Sequence, residues 1–426
     1  MVAVERSGMD VVVVGGGLAG LVAARHIAES GADVTLFERR ETVGGRVRSR
    51  TVDGYTLDRG FQVLFPAYPA VERELDLDAL DLRRFTPGAT IARPGKRSVL
   101  ADPLRDPRSA LATVFNDEVT IRDLLRLYRL QRELRGRSVD EILRRGGSSI
   151  EAYLADRGFS DGFVESFAAP FYGGITLDRS LSTDSAVFEY TFKMLTEGST
   201  AVPAEGMGAI TAQLADRARA AGVTVETGTT VDAVVPGDGV TVETGDESVG
   251  ADAAVVATDP KAASDLTGVA AITTTARSCV TQHVALPSGD RPEMGRRIVL
   301  NAEDDRPNQI APLSAVAPGY APDGHASYAA TFLGEREADD ETLFETVRTA
   351  LSEWYPQTSF ADLELIGTDR IEFAQFDQPP GFRAGLPAVD APEGPVVLAG
   401  DYTRWSSIQG ALESGRVAAG AALDTQ

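Results

Sequence analysis

Residues 10–40 read DVVVVGGGLAGLVAARHIAESGADVTLFERR, and this stretch decides the fold. Four consecutive valines predict a buried parallel strand, because a strand covered on both faces is apolar throughout. Gly15, Gly17 and Gly20 follow the spacing GxGxxG. In that motif the first glycine permits a tight turn, the second leaves room for a pyrophosphate, and the third lets the next helix pack on its strand. The Ala-rich pattern that follows predicts a helix over about 18–29.

The second strand of this unit, DVTLFE, ends at Glu38. A carboxylate there can accept hydrogen bonds from a ribose diol, and it repels a 2′-phosphate, which disfavours NADP. The free amides and the dipole at the start of the helix, at Leu18 and Ala19, face the diphosphate. Strand, glycines, helix, second strand and acidic residue occur in order within about 30 residues, so the stretch predicts a dinucleotide-binding site.

The composition is strongly acidic, with a formal net charge of -22. Such a surface repels phosphate backbones, so nucleic acid is not expected as a partner. Lysine occurs only at positions 96, 193 and 261, and the other basic residues are arginines. This pattern predicts a halophilic protein, since strong salt screens the self-repulsion of an acidic chain. An ordinary acidic cytosolic protein is the alternative.

Metal and disulfide chemistry have little support in the sequence. Cys279 is the one cysteine, which excludes an intramolecular disulfide and a cysteine-built zinc site. The histidines at 26, 283 and 325 lack ligand spacing, so no metal site is predicted. No apolar run reaches about 18 residues, and the first residues lack the apolar core of a signal peptide. We therefore expect a cytoplasmic protein without a transmembrane segment, and peripheral membrane contact through a local apolar patch stays open.

A further glycine motif follows the dinucleotide unit, where ETVGGRVRSR places Gly44, Gly45 and Arg46 shortly after Glu38. Together, the segments GGGLAG, FE and VGGRV resemble the flavin-containing amine oxidase superfamily. That group includes monoamine oxidases, protoporphyrinogen oxidases and phytoene-type carotenoid desaturases. The resemblance implies FAD as cofactor, with the paired glycines close to the flavin and Arg46 beside the pyrophosphate. Arg39, directly after the ribose-binding carboxylate, is expected to contact the cofactor as well.

The next stretch, GYTLDRGFQVLF, resembles the strand that leads the chain of this family to the isoalloxazine ring. Asp58, Gly60 and Phe61 stand at the matching places. The resemblance therefore implies that Gly60 and Phe61 contact the cofactor.

The segment VVLAGDYTRWSSIQGALESGRVAAGAAL resembles the closing motif of the family, in which a strand and Gly-Asp precede a helix. Gly400 and Asp401 would hold the ribityl or pyrophosphate part of FAD. The helix is expected to begin around Ser407 to Gly410, with the amides near Ile408, Gln409 and Gly410 directed at the N1–C2=O edge of the flavin. A helix N-terminus stabilises the negative charge of a reduced flavin there. Ser407 is expected to contact the cofactor as well.

The middle of the chain resembles the place where the family returns to its dinucleotide domain. Gly206 to Gly208 precede an Ala-rich helix, and the backbone at Val231 would meet the adenine. These glycines do not repeat GxGxxG, so direct use of a nicotinamide cofactor is not expected.

The predicted fold is α/β. A discontinuous Rossmann-like FAD-binding domain with a parallel central sheet comprises residues 1–70, 200–265 and 390–426. A substrate domain of antiparallel sheet and helices comprises residues 71–199 and 266–389. The first of these substrate segments reads as mostly helical and the second as antiparallel strands.

The resemblance supplies two tests of amine oxidation. Amine oxidases of the family carry a lysine near flavin N5 on a strand of the substrate domain, but this sequence has no lysine after Lys261. They also hold the amine between aromatic rings, one of them from the closing motif. There Ser407 stands in place of a tyrosine, and Trp405 is two residues away. Both tests disfavour amine oxidation.

Residues 165–208 form the most aromatic run of the chain and resemble the matching region of protoporphyrinogen-oxidase-like and phytoene-desaturase-like proteins. We expect Phe171, Tyr172 and Phe61 to line a cavity for a small apolar substrate. No residue is assigned as catalytic acid or base, and either Glu372 or water is left open as the proton acceptor.

The leading prediction is an FAD-dependent oxidoreductase that dehydrogenates or desaturates an isoprenoid, carotenoid-like or porphyrinogen-like substrate by hydride transfer to flavin N5. A flavin amine oxidase, a redox-neutral FAD-dependent isomerase and a non-catalytic flavin-binding protein remain alternatives. Non-covalent FAD is expected, because the sole cysteine, Cys279, falls on a strand of the substrate domain. The electron acceptor, whether oxygen, a quinone or another protein, stays open.

Overall fold

The computed structural model describes residues 8–101, 118–245 and 247–425. The strands are β1 (Asp10–Val14), β2 (Asp33–Glu38), β3 (Ser49–Val52), β4 (Tyr55–Asp58), β5 (Leu82–Arg84), β6 (Ala89–Arg93), β7 (Lys96–Leu100), β8 (Ala201–Pro203), β9 (Thr224–Thr227), β10 (Ala233–Pro236), β11 (Val240–Thr244), β12 (Glu247–Ala251), β13 (Ala253–Val256), β14 (Ala276–Pro287), β15 (Ile298–Asn301), β16 (Gln309–Ala311), β17 (His325–Leu333), β18 (Glu364–Phe376) and β19 (Val396–Leu398). The α-helices are α1 (Leu18–Glu29), α2 (Pro69–Glu74), α3 (Ile121–Arg135), α4 (Val139–Leu143), α5 (Ile150–Asp156), α6 (Asp161–Phe163), α7 (Ala169–Thr176), α8 (Ser185–Glu197), α9 (Gly208–Ala220), α10 (Pro260–Thr267), α11 (Leu313–Val316), α12 (Asp340–Trp354) and α13 (Ile408–Leu423). Shorter helical turns are the π-helix Val164–Ala168 and the 3-10 helices Ser288–Asp290, Pro318–Tyr320, Phe382–Gly385 and Asp401–Thr403. Within these ranges, none of the helices combines the length and apolar character that crossing a bilayer requires.

A parallel sheet holds the amino-terminal unit. Among the described residues, five strands pair in the order β19, β13, β1, β2 and β9. The valines of β1 are buried, as the prediction of a strand covered on both faces requires. These strands come from parts of the chain near residues 10–38, 224–256 and 396–398, so the sheet is assembled from distant segments. The predicted parallel central sheet is confirmed.

The first and last helices pack at backbone distance. A Cβ added to Gly20 of α1 would lie 1.9 Å from the carbonyl oxygen of Gly15, so only glycine lets α1 sit this close to its own strand. A Cβ added to Gly415 of α13 would lie 2.3 Å from the carbonyl oxygen of Ala19. The carboxy-terminal helix is therefore seated directly on the amino-terminal one.

The seven-stranded sheet of the described residues runs in the order β18, β14, β17, β16, β15, β6 and β7. All neighbours are antiparallel except β15 and β6, so the predicted antiparallel sheet of the substrate segments is confirmed in the main. Residues 71–199 were expected to be mostly helical, yet they also supply β5, β6 and β7. A Pro94-Gly95 turn joins β6 to β7, and this local hairpin signal was overlooked.

The buried carboxylate of Glu74 links α2 to α1. Glu74 is fully buried and accepts hydrogen bonds from Arg25 Nη2 at 2.5 Å and from Arg73 Nε at 2.8 Å. The Nε2 atom of His26 lies 3.0 Å from the same oxygen as Arg25. Burial alone would raise the pKa of Glu74, but His26, Arg73 and Arg25 hold it at about 2.

Candidate active site

A large cavity opens where the carboxyl ends of β1 and β2 meet the seven-stranded sheet. Its volume is about 890 Å³, within the range of about 300–1,000 Å³ usual for ligand pockets. Its wall includes Gly15 and Gly400 from the predicted dinucleotide segments, and Phe171 and Ile371 from the predicted substrate segments. The cavity therefore lies at the junction of the two.

The first turn of α1 forms one end of the cavity. Gly17 is the N-cap of the helix, and no side chain caps the amides that follow. No heavy atom lies within 4 Å of the position that a Cβ on Gly17 would take, so there is open space beside these amides. An uncapped helix N-terminus facing open space is suited to bind an anion.

Glu38 closes this end through backbone contacts. Its side chain is buried, and Oε2 accepts a hydrogen bond from the amide of Gly16 at 2.8 Å while Oε1 accepts one from the amide of Arg40 at 3.0 Å. The carboxylate therefore holds the glycine loop in place as well as lining the cavity.

An ion pair joins the two ends of the chain at the cavity wall. Arg46 Nη2 donates to Asp401 Oδ1 at 2.6 Å, and Arg46 Nη1 donates to the carbonyl oxygen of Ala374 on β18 at 3.1 Å. Asp401 follows the strand β19 and is buried. One guanidinium thus contacts the carboxy-terminal segment and the sheet of the substrate segments at once.

The carboxy-terminal helix begins at the cavity, as expected. Ser407 is its N-cap, and both Ser407 and Ile408 line the cavity. The prediction for Gly410 is corrected: its amide donates to Ser407 Oγ at 2.8 Å, and the residue is not part of the lining. The N-cap hydroxyl takes the hydrogen bond that the prediction had assigned to a cofactor.

Most of the residues predicted to contact the cofactor converge on this one cavity. Those that line it are Gly15, Gly17, Leu18, Ala19, Glu38, Arg39, Gly44, Gly45, Arg46, Gly60, Phe61, Val231, Gly400, Asp401, Ser407 and Ile408. Gly20 does not line it, because its contact is the close packing of α1 on β1. Gly20 is therefore a packing residue, in keeping with the reason for the third glycine of the motif.

Asp58, which stands at a place matching the family strand, turns away from the cavity. It is buried, and its carboxylate accepts hydrogen bonds from Ser49 Oγ at 2.5 Å, the Met207 amide at 2.8 Å and the Tyr320 hydroxyl at 2.8 Å. Burial raises the pKa of Asp58, and these donors counteract the effect. Through these hydrogen bonds Asp58 links the predicted FAD-binding segments to Tyr320 of the predicted substrate segments.

The part of the cavity away from the nucleotide end is lined by aromatic and aliphatic side chains, among them Phe61, Phe171, Ile298 and Leu300, and we call it the chamber. Phe61 and Phe171 line it as predicted positions, but Tyr172 does not. Tyr172 is buried, with its ring centroid 4.6 Å from that of Phe188 in an edge arrangement. Successive residues of a helix point about 100° apart, so α7 can present Phe171 to the chamber only by turning Tyr172 into the core. The prediction for Tyr172 is corrected accordingly.

Several lining residues were missed from the sequence. They are Arg40, Arg59, Tyr68, Ile175, Leu177, Thr229, Asp259, Ile298, Leu300, Gln309, Phe373, Gln375 and Gln378. Thr229 lies two residues before the predicted Val231, so a wider window would have included it. Ile298 and Leu300 share one face of β15 because strand side chains alternate, but only the distant pairing of that strand brings this face to the cavity.

Cys279 lies in the cavity wall although it belongs to β14. Its position in the substrate segments was the reason given for non-covalent FAD, and that reason is insufficient, since the fold brings this strand to the site. Burial raises the pKa of the thiol to about 12. A thiol kept neutral is a weak nucleophile, which still argues against a covalent link.

Lys193 and His283 are engaged away from the cavity. No lysine is among the described residues that line the cavity; Lys193 instead donates to the Leu134 carbonyl oxygen at 3.2 Å. His283 is buried, with Nε2 3.0 Å from the Asp58 carbonyl oxygen and 3.3 Å from Asp369 Oδ2. Glu372 lines the cavity and is exposed. No cluster of three or more metal-binding side chains occurs in the described ranges.

The sequence profile described as flavin-containing amine oxidoreductase matches residues 18–423. The chain therefore belongs to the flavin-containing amine oxidoreductase family. The match includes every residue of the cavity lining except Val14, Gly15 and Gly17, which lie just before it.

Two curated relatives align with part of the chain. A carotenoid 3,4-desaturase of Haloarcula japonica is 41% identical over 88 residues, which are 20% of this chain and 18% of that protein. A putrescine oxidase of Kocuria rosea is 42% identical over 98 residues, 22% of this chain and 20% of that protein. The alignments thus span about a fifth of these relatives.

Similarity to solved structures covers nearly the whole chain. An oxidoreductase from Methanosarcina mazei superposes with a TM-score of 0.75 over 96% of this chain and 99% of that one, at 20% identity. The likeness establishes the shared fold.

The residues present fit the dinucleotide that the family description implies. The uncapped start of α1 and the open space at Gly17 suit a diphosphate. Arg46 brings a guanidinium to the same wall, and Arg39 lies beyond Glu38. The cavity thus offers anion-binding groups in one part and aromatic side chains in another. This suits a flavin dinucleotide, which has a charged diphosphate and a flat aromatic ring.

Proposed function

We propose that the protein is an FAD-dependent oxidoreductase that dehydrogenates or desaturates an apolar substrate of the isoprenoid, carotenoid-like or porphyrinogen-like class. The observation that carries the proposal is that one cavity joins an anion-binding nucleotide end to an aromatic chamber. When bound, the flavin supplies a two-electron acceptor at N5 for hydride from a C–H bond. The residues of the chain hold the cofactor and orient the substrate.

Four parts of the chain would hold the cofactor. The start of α1 at Gly17 would bind the diphosphate, Glu38 the adenosine ribose and Val231 the adenine. Arg46 and Asp401 would hold the pyrophosphate and ribityl part, since their ion pair lies in the same wall. We propose that FAD is bound non-covalently, because the neutral thiol of Cys279 is poorly suited to attack the ring.

The chamber favours an apolar substrate. Phe61, Phe171, Leu300 and other carbon-rich side chains line it. Two glutamine side chains in the wall already form hydrogen bonds within the protein. Gln375 Nε2 donates to the Ile175 carbonyl oxygen at 2.7 Å, and Gln378 Oε1 accepts from the Ser406 amide at 2.9 Å. A wall of this kind gains more free energy by covering hydrocarbon than by binding a charged amine.

The test is anaerobic bleaching of the bound flavin. We expect an isoprenoid precursor of carotenoids or protoporphyrinogen to bleach the visible absorption of the oxidised flavin, while putrescine and aromatic amines leave it unchanged. Product mass separates the alternatives: a dehydrogenated product is lighter by two hydrogens, whereas an isomerase gives unchanged mass after prior flavin reduction. Bleaching by an amine with peroxide release in air would overturn the proposal.

The amine-oxidase alternative is supported by the description of the family and by the similarity of about a fifth of the chain to a putrescine oxidase. Against it, no lysine is found among the described lining residues, and Ser407 and Trp405 border the site where a tyrosine would be expected. A non-catalytic flavin-binding protein would leave the flavin oxidised with every compound of the panel.

The composition supports a proposal about the environment of the protein. We propose a halophilic, cytoplasmic protein, because the charge of -22 with three lysines suits strong salt. A melting temperature that rises on going to molar KCl would support this, and one that falls would contradict it. Steady-state assays with oxygen or a quinone would identify the electron acceptor.

A further inference from the structure

Three large apolar side chains are exposed along one helix. Ile121, Leu125 and Tyr128 of α3 are 63%, 52% and 49% exposed. Their spacing of four and three residues places them on the same face of the helix. Val235, on β10, is the other large apolar side chain of the described residues with comparable exposure. The exposure on α3 is therefore concentrated rather than scattered.

Arginines surround these side chains. Arg122, Arg129, Arg132 and Arg135 of α3 are all exposed. Viewed along the helix axis, Arg132 lies at an angle between those of Ile121 and Leu125 on the outward face, and Arg129 lies to the side of Leu125. We call the surface formed by Ile121, Leu125, Tyr128, Arg129 and Arg132 the outer face of α3.

The two acidic residues of α3, Asp123 and Glu133, add no unpaired negative charge to the outer face. Asp123 is fully buried, where it accepts hydrogen bonds from Thr120 and Ser160. Glu133 is paired with Arg137 and Arg157. The outer face is thus locally basic on a protein whose net charge is -22.

The opposite side of α3 is anchored near the chamber. Leu130 and Leu134 are buried, and the Leu134 carbonyl oxygen accepts a hydrogen bond from Lys193 of α8. Two other residues of α8, Val187 and Thr191, line the cavity. Helix α3 therefore packs on an element of the chamber wall, while none of the described residues covers its outer face.

We propose that the outer face of α3 binds the surface of a bilayer that contains anionic phospholipids. Leucine, isoleucine and tyrosine side chains partition into the headgroup region, and arginines pair with anionic headgroups. At low ionic strength the acidic remainder of the protein is repelled from such a surface, so the charge distribution orients the molecule with this face inward, whereas in molar salt the apolar side chains supply most of the binding. The inference rests on the proposed function for its purpose, since a hydrocarbon-like substrate dissolves in the bilayer beside the chamber wall.

The test is flotation of flavin-loaded protein with vesicles. Vesicles of phosphatidylcholine and phosphatidylglycerol in equal parts are compared with vesicles of phosphatidylcholine alone. We expect binding to the anionic vesicles only. The double change Arg129→Gln/Arg132→Gln should lower the partition coefficient about 25-fold, since each arginine near an anionic surface contributes about fivefold. The triple change Ile121→Ser/Leu125→Ser/Tyr128→Ser should lower it about tenfold or more.

Matched controls lie outside α3. Arg219→Gln/Arg306→Gln removes the same charge from exposed arginines elsewhere, and Val235→Ser removes another exposed apolar side chain. Both controls should bind vesicles as the unchanged protein does. Raising the salt concentration from 0.1 M to 1 M shortens the screening length from about 10 Å to about 3 Å and should weaken the arginine contribution while sparing the apolar one.

Equal binding of all variants, or equal binding to neutral and anionic vesicles, would overturn the inference. A dimer that the triple change dissociates, without vesicle binding, would also overturn it by identifying a second copy as the occupant. Flavin bleaching by detergent-dispersed substrate without vesicles reports the proposed function separately. Intact bleaching with failed flotation therefore rejects the membrane inference alone, and the reverse result rejects the proposed function alone.

Discussion

Arg46 donates from Nη2 to Asp401 Oδ1 across 2.6 Å, although 355 positions separate the two residues along the chain. Asp401 also accepts a hydrogen bond from Ser406 Oγ at 3.0 Å. Burial alone would lower the pKa of Arg46, but Asp401 outweighs that effect and the pKa is raised, so the guanidinium stays charged. This pair closes the wall of the cavity between two distant parts of the chain.

Asp401→Asn keeps the shape of the side chain and removes its charge. We expect FAD to bind at least about tenfold more weakly and the free energy of unfolding to fall by about 2 kcal/mol, because a charge-assisted hydrogen bond is lost. Fluorescence titration of the apoprotein with FAD measures the first effect. Asp424→Asn, at an exposed position after α13, is the control. Equal FAD affinity in the two variants would contradict the role of Asp401.

Glu38→Arg should leave the protein without FAD. The change removes the acceptor of the Gly16 and Arg40 amides and places a cation where the carboxylate was buried. The absorbance spectrum of the purified variant measures its flavin content. Glu41→Arg, at an exposed position nearby, should keep its flavin. An unchanged flavin spectrum in Glu38→Arg would refute the role given to that carboxylate.

Two glycines of α13 should respond in opposite ways to alanine. Gly415→Ala brings a Cβ against the Ala19 carbonyl oxygen, so α13 must move away from α1 and we expect a loss of stability of about 2 kcal/mol or more. Gly420→Ala meets open space in the same helix and should stabilise by about 0.5–1 kcal/mol. Denaturant unfolding of both variants measures the difference. Equal midpoints would contradict the close approach of the two helices.

Acid should weaken the protein through Glu74. The pKa of this carboxyl is lowered from the model-peptide value of 4.5 to about 2 in the folded state, so the folded state favours the charged form. The resulting stabilisation is complete above about pH 4.5 and is lost as pH falls toward 2, and its size is about 3 kcal/mol. Unfolding by urea at a series of pH values measures the decline.

A Glu74→Gln variant should lose this part of the pH dependence. Its free energy of unfolding at neutral pH should fall by about 3 kcal/mol or more, because Arg25 and Arg73 lose a buried partner. Glu72→Gln, an exposed change on the same helix, should behave as the unchanged protein does. A Glu74→Gln variant with the original acid sensitivity would show that other groups control it.

The flavin should leave the protein on denaturation. We expect acid-precipitated protein to be colourless and the supernatant to hold all the FAD, because burial keeps the thiol of Cys279 neutral. In the folded protein the same thiol should react with iodoacetamide far more slowly than free cysteine at pH 8. Yellow colour in the precipitate that Cys279→Ala abolishes would demonstrate a covalent link instead.

Local signals account for what could be predicted from the sequence. The strand β1, the helix α1 over Leu18–Glu29 and the strand β2 occur at the expected positions, because buried valines, GxGxxG and an Ala-rich period act within one short segment. The start of α13 was expected around Ser407 to Gly410 from the family resemblance, and Ser407 is its N-cap. The convergence of these segments followed from the family resemblance.

Side-chain direction and distant pairing account for the rest. The sequence does not reveal which of Phe171 and Tyr172 faces the chamber, because that depends on how α7 is rotated against its neighbours. Ile298 and Leu300 reach the cavity only through the pairing of β15 with β6, more than two hundred residues earlier in the chain. The hydrogen bond from Tyr320 to Asp58 likewise joins two residues that no local sequence pattern connects.

The seating of α13 on α1 has a consequence for synthesis. The ribosome makes residues 10–40 first and reaches 396–423 only after about 350 more, which takes about 20 to 70 s at ordinary translation rates. The strand β13 becomes available once residues 253–256 are made, but throughout the interval the unit lacks β19 and the helix α13 that packs on α1. The parallel sheet and the cavity wall are therefore completed only after residues 396–423 have been synthesised, and until then α1 lacks the helix that packs on it.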